Sequence, residues 1–477
     1  DTTKDTIIAA IEMSLKVIRM YDWLLDLYVL DFFVDNHWEK LPPLWRDCLK
    51  SIDPQDLGKI LCGHPTKYVL PLSLLALVNA VKAITLPRTQ SCTETNLRNV
   101  DMDLIFDTDK CGSHPRLKNL FLKHVKLKKR HEIDLMANLV YRVAGKTKCN
   151  AVVDFGSGLG HLVRVLAYKH DLHTVGIECQ VQLTEEASKL DLELEYTANK
   201  HLSKTAMSDL KRPSHLNVML SSESQLHQLL PDNMVDYGLV GLHPCGDLGP
   251  LLLKHFVTCD RVKFICVVGC CFMKLTCDCE PCGYPMSKYV KGLDSALSYV
   301  SREIACHAIE VYCERLIKGD YEDLKVHAYR AALERILMDH NLKHAPIRSI
   351  KHTKTMTFES PVSILPIYFL LTMFLKVGHS PYPHQIVGSK DYCEAALHRL
   401  SLSATDADLA RGVADLAHWR RVVVMYTLRL ALAPLVETVV LLDRVLYVIE
   451  HGFACEIHPV FDPKLSPRNH IIVGRRI

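Results

Sequence analysis

The sequence predicts an α/β fold organised around a doubly wound parallel sheet, and three observations predict it. Five short apolar runs between residues 151 and 268 alternate with helical patterns, the order that βαβ units require. The first run, AVVDFGSGLG at 151–160, passes directly from an apolar strand into a glycine-rich turn. The second run ends on an acid, Glu178, 18 residues past Gly160.

The elements follow in order. An N-terminal helical region is expected over 1–115, with apolar residues at helical spacing from Thr6 to Leu30 and again from Leu70 to Ile84, before Pro87. Its aromatic residues, Trp38 and Trp45 among them, read as core, because large rings at helical spacing usually pack. The first part of the sheet domain is expected over 116–277. After a helix through Leu135 to Val143, Val152 and Val153 form strand one, which ends at Asp154. Gly156, Gly158 and Gly160, with Ser157 between them, let the backbone turn sharply and approach a ligand. A helix starts near His161, and its free amides face the turn. Strand two ends at Glu178, where a carboxylate can accept both hydroxyls of a ribose. Three more strands are expected at Leu216–Leu220, Tyr237–Leu242 and Val262–Val268. A mostly helical insertion over 278–430 follows, with stretches such as YEDLKVHAYRAALERIL. The last part, 431–477, reads as a helix from about Pro434 to Ile449 and a closing hairpin, Ala454–Phe461 with His470–Arg475.

The turn itself discriminates between ligands. A dinucleotide site usually spaces its glycines G-x-G-x-x-G so that a pyrophosphate rests on the helix N-terminus. Here the spacing is G-x-G-x-G, led by Asp154. An acid in that place repels phosphate and suits a ligand carrying an ammonium and a sulfonium, which favours S-adenosylmethionine over NAD.

Bulk composition fits a globular chain of more than one domain: 477 residues, 48% apolar and 23% charged. A net charge of +3 does not announce a nucleic-acid binder, so any polyanion contact must be local. The densest basic run is Lys123–Arg130, KHVKLKKR. Eighteen cysteines point to a reducing, intracellular compartment, cytoplasmic or nuclear, with few or no disulfides. The chain opens at Asp1, which leaves a removed targeting segment open. No membrane span is expected, since the most apolar stretch, Pro361–Leu375, is too short and contains Pro366.

Chemistry is expected past the carboxyl ends of strands four and five. Strand four leads into His243, Pro244, Cys245, Gly246 and Asp247, and strand five into Cys270 and Cys271. The (Asn or Asp)-Pro-Pro-aromatic run that holds an adenine amine is absent. His243 can instead act as a general base, with Asp247 orienting it. The rival is a thiolate mechanism through Cys245, Cys270 or Cys271, with Lys274 the nearest cation in sequence. A further cluster, Cys277, Cys279 and Cys282, lacks the paired C-x-x-C knuckles of a zinc site, and no metal is assigned there.

Taken together, KLKKRHEI (Lys126–Ile133), VVDFGSGLGHL (Val152–Leu162), VGLHPCGDL (Val240–Leu248), VGCCFMKLT (Val268–Thr276), LKVHAYRAALE (Leu324–Glu334), LAPLVETVVLLDR (Leu432–Arg444) and LSPRN (Leu465–Asn469) resemble the methyltransferase-like protein 25 family. The likeness is to its branch named for an rRNA adenine dimethylase domain and runs from about residue 20 to the end. The resemblance implies a Rossmann-like class I methyltransferase that uses S-adenosylmethionine. It implies cofactor contacts from Asp154, Gly156, Ser157, Gly158, Gly160, His161 and Glu178, with Lys128, Lys129, His131 and Glu132 lining the pocket. The His-x-Cys-Gly and paired-cysteine pattern is also similar to a tRNA ribose 2'-O-methyltransferase family, which implies RNA as substrate. One departure is Pro244, where the family reads threonine; proline removes a backbone donor. A protein methyltransferase, or a binding protein that keeps the cofactor fold without turnover, stays open as the alternative.

Overall fold

The computed structural model describes residues 2–62, 64–89, 111–112, 114, 116–117, 120–121, 125–219, 230, 234–277, 282–319, 324–342, 351–352, 356–357, 397, 402–403 and 405–476. By compactness it divides into two units: residues 1–11, 86–295 and 439–477 form the first, and residues 12–85 and 296–438 the second. The sequence boundaries expected at 115, 277 and 430 do not coincide with these cuts.

The first unit carries a seven-stranded sheet. In chain order its strands are β1 Ala151–Phe155, β2 His173–Glu178, β3 Ser214–Asn217, β4 Tyr237–Gly241, β5 Val262–Val268, β6 Ala454–Pro459 and β7 His470–Arg475. Their spatial order is β3-β2-β1-β4-β5-β7-β6. The first five are mutually parallel. The closing strand β7 is antiparallel to both β5 and β6. Strand order reverses between β1 and β4, and at such a switch point a crevice opens beyond the carboxyl ends. The expected doubly wound α/β fold is therefore the observed one.

Burial explains why these runs are strands. In β5 all residues except Lys263 are buried, as a strand covered on both faces requires. Phe264, Cys266 and Val268, alternate residues, join Ile133, Met136 and Val140 of the helix Leu127–Thr147 in one core, together with Ile471 and Val473 of β7. Burying each such side chain is worth about 1.5–3 kcal/mol. Gly238 in β4 is obligatory for the same packing, because a Cβ there would stand 2.0 Å from the Phe264 ring.

Two elements differ from the sequence expectation. β3 is shifted toward the N-terminus relative to 216–220 because its pairing with Val175–Glu178 ends at Asn217, whose amide donates to the Glu178 carbonyl. The last helix runs Trp419–Glu450 and does not start at Pro434. An internal proline costs about 3 kcal/mol. Here Val422–Ala433 and Leu435–Leu446 are buried, and that packing outweighs the break.

Among the described residues the second unit is helical apart from one short antiparallel strand pair, Lys351–His352 with Met356–Thr357. Tyr312, Tyr426 and Thr427 pack in its interior, where the Tyr312 hydroxyl meets Thr427 Oγ1 at 2.5 Å and His307 Nδ1 meets the Tyr426 hydroxyl at 2.8 Å. Arg429, fully buried, donates to the Leu25 carbonyl. The helix Lys325–Asp339 covers most of the YEDLKVHAYRAALERIL stretch and runs two residues beyond it, as its apolar spacing predicts. The apolar stretch Pro361–Leu375 lies outside the described residues, as does Cys279. Among the described residues every cysteine is a free thiol, and no helix is long and apolar enough to cross a membrane.

Candidate active site

The carboxyl ends of β1 and β2 bring two acids together. Asp154 is 3% exposed, and its carboxyl makes no hydrogen bond among the described residues. Burial pushes it up to about 8, Lys129 opposes that, and the like charge of Glu178 adds to it. Glu178 accepts from the Gly158 amide through Oε2 and from the Gln180 amide through Oε1, both at 3.0 Å. Oε1 also accepts from the Cys179 thiol at 3.4 Å, so Oε2 is the oxygen that keeps a further lone pair for a ribose hydroxyl.

The glycine turn is shaped by what surrounds it. Gly156, Gly158 and Gly160 all adopt left-handed φ, between +56° and +69°. A Cβ on Gly160 would stand 2.5 Å from His215 Cε1, so this glycine is needed for packing. A Cβ on Gly158 would meet nothing within 4 Å, which marks the open face of the turn. Behind the turn lies a buried ionic network. Arg164 pairs with Asp191 and donates to the Leu159 and Ala187 carbonyls and to His161 Nδ1. Asp191 in turn accepts from His215 Nε2 at 2.6 Å. Burial first, then the charges of Arg164 and Lys129, push His161 down to about 4, so it is neutral and committed to Arg164. Ser157 is turned toward the sheet, its hydroxyl 2.8 Å from where a Cβ of Gly176 would lie.

At the end of β4, His243 Nε2 lies 3.1 Å from Glu132 Oε2. Glu132 is 1% exposed, and its other oxygen accepts from the Ser466 hydroxyl at 2.6 Å. Burial raises the Glu132 carboxyl, but the hydrogen bond and charge of His243, with Lys128 and Ser466, outweigh it and hold the group below its ordinary value. Lys128 stands 3.8 Å from the same carboxylate. Asp247 does not orient His243 as expected. It accepts from the Thr276 amide at 2.9 Å and from the Thr276 hydroxyl, tying the loop after β5 to the loop after β4. His131, expected in the cofactor pocket, accepts from the Asp462 amide at 2.9 Å and braces the closing hairpin.

The thiols expected on one crevice do meet. Cys245 Sγ lies 3.3 Å from Cys271 Sγ and 3.8 Å from Cys270 Sγ, and the last two are 3.3 Å apart. Hydrogen bonds from Cys270 and Cys271 hold the Cys245 thiol well below its ordinary value, against burial, with His243 and Lys274 adding their charge. The same bonds, with burial, push Cys270 up.

Sequence reasoning missed Glu132 as the partner of His243, and missed Ser466, Asp191 and His215. The LSPRN run was the available signal for Ser466. Nothing local marks Asp191 or His215, which act by holding Arg164 behind the turn.

A parallel sheet closed by an antiparallel hairpin, with an acid-led glycine turn at β1 and an acid at the end of β2, defines a class I methyltransferase fold. A family model described as a methyltransferase domain matches residues 128–278. The chain is homologous to Probable methyltransferase-like protein 25, at 30% identity over 308 residues to the Mus musculus protein, covering 62% of this chain and 45% of that one. To the Homo sapiens protein of the same name it is 27% identical over 287 residues, covering 58% of this chain and 42% of that one. The chain thus spans less than half the length of the curated relatives it matches. No solved structure matches it.

Proposed function

We propose that this chain is an S-adenosylmethionine-dependent methyltransferase that acts on RNA, at a ribose hydroxyl or a base. The observation that carries the reading is the pairing of Asp154 and Glu178 beside the open face of Gly158. These residues fit the cofactor. A buried carboxyl without a hydrogen-bond partner among the described residues suits a cationic group, and Glu178 suits a ribose diol. When bound, the cofactor supplies an electrophilic methyl on a sulfonium.

The protein's own part is positioning and proton handling. His243 stands beyond β4 with one ring nitrogen on Glu132, and is placed to take the proton of an attacking hydroxyl. Glu132 holds the ring and stabilises its charged form, and Ser466 holds Glu132. For RNA, the supporting feature is the exposed run Lys126–Arg130 at the start of the helix that carries Glu132. The free thiols fit an intracellular setting, cytoplasmic or nuclear.

The test supplies labelled donor to the purified chain with total RNA and, separately, with total protein. Label in the RNA pool is expected. Label confined to protein overturns the substrate, and donor binding without transfer to either pool makes the chain a binding protein.

A further inference from the structure

We propose that Cys245, Cys270 and Cys271 form a three-thiolate site for a zinc ion at the carboxyl ends of β4 and β5. The inference goes beyond the reading above and stands whether or not methyl transfer is found.

The geometry comes first. Among the described residues these three sulfurs lie within 4.8 Å of one another, at separations of 3.3, 3.3 and 3.8 Å. Sulfur ligands 2.3 Å from a tetrahedral zinc stand about 3.8 Å apart. The observed triangle needs to open by no more than about half an ångström to accept the ion. Three sulfurs are the donor set that soft cations such as zinc select.

Backbone conformation points the same way. Cys271 adopts a left-handed φ of 48°, a conformation that is sterically unfavourable for a residue with a side chain. On the facing loop Gly246 has φ +61°, packed against the Lys274 carbonyl. The two loops are tied by Asp247 to Thr276, so the three sulfurs are delivered from a braced frame. A disulfide explains the trio less well, because it accounts for two thiols and leaves the third. Cys270 and Cys271 are buried and Cys245 is exposed, which puts the fourth coordination position on the solvent side. That is the arrangement of a zinc that takes an exogenous ligand. The charges of His243 and Lys274 face Cys245 and offset the excess negative charge of three thiolates.

The test uses the full chain, reduced and stripped of metal by a chelator, under anaerobic conditions. Zinc is titrated against a chromophoric chelator, and cobalt(II) is added in parallel to read sulfur-to-cobalt charge transfer. One equivalent of zinc is expected, with charge-transfer absorption of three thiolates. Cys245→Ser should remove about a third of that absorption and weaken zinc by more than the roughly 10–100-fold that loss of an outer-shell partner costs. Cys48→Ser should bind as the parent does. Because the cobalt spectrum is read on the parent chain, misfolding of a variant does not rescue the proposal. No equivalent bound, no charge-transfer band, or the same affinity in the Cys245→Ser, Cys270→Ser, Cys271→Ser triple variant overturns it. Zinc binding without donor binding would sink the functional reading alone, and donor binding without zinc would sink this one alone.

Discussion

Raising the pH from 6 to 8 should tighten binding of a cationic methyl donor by about 50-fold, through a single carboxyl. Burial, with the like charge of Glu178 and against Lys129, holds Asp154 up at about 8. At pH 6 the side chain is therefore neutral, and a ligand that needs the carboxylate must first displace its proton. At pH 6 that costs about 2.7 kcal/mol relative to the fully ionised side chain, and about 0.4 kcal/mol of it remains at pH 8, a difference of about 2.3 kcal/mol. The assay is calorimetric titration of the donor and of its demethylated product from pH 6 to 9, in buffers of different ionisation enthalpy, which counts the protons released. The donor's own amine also titrates near 8, so Asp154→Asn is run in parallel and the difference between the two slopes isolates this residue. Stability moves the opposite way. The folded value lies above the ordinary 3.8, so the contribution is complete below that pH and is lost as pH rises through 8. The ligand-free protein should thus melt at lower temperature at pH 8 than at pH 5, and the asparagine variant should flatten that decline. Equal pH slopes in parent and variant would refute the argument.

The glycine turn separates packing from ligand access. Gly160→Ala places a Cβ against His215 at left-handed φ and should destabilise the fold by about 1–3 kcal/mol in urea unfolding. Gly158→Ala meets open space, so it should cost only the conformational strain of about 1–2 kcal/mol while weakening donor binding more than its neighbour does. Donor affinity untouched by Gly158→Ala would place the ligand elsewhere. Glu132→Gln keeps the shape but removes the charge facing His243. It should slow methyl transfer by about 100-fold and move the pH profile, with donor affinity little changed, all read in one labelled-transfer series.

What the sequence made legible was the scaffold of the site, because a strand's end is written locally. An apolar run stopped by Asp154 or Glu178 says where β1 and β2 end, and parallel topology then says that both ends share a rim. The closing hairpin was legible for the same reason, from two apolar runs around a proline-containing break. Side-chain partnership was not legible. Asp247 is four residues from His243 and looked like its orienting acid, whereas the loop carries it to Thr276. The acid that does reach His243 is Glu132, on a helix 111 residues earlier. The start of the last helix failed for another reason. Pro434 is a local stop signal, and only the burial of the apolar residues on both sides of it, a tertiary fact, overrides that signal.

These partnerships also tie the closing hairpin to the proposed base and not only to the sheet. Glu132 has two oxygens, and the structure divides them between His243 at the end of β4 and Ser466 in the turn between β6 and β7. On the preceding residue of the same helix, His131 accepts from the Asp462 amide of that same connection. Asn469 fastens the other side of the turn, donating to the Arg88 carbonyl, while Arg88 donates to Pro467. A carboxylate at 1% exposure, held from two sides, has no freedom to swing away from the imidazole. The His243 imidazole is therefore oriented by groups that only the complete sheet brings together, and the catalytic role proposed for it requires the last strands as well as the first.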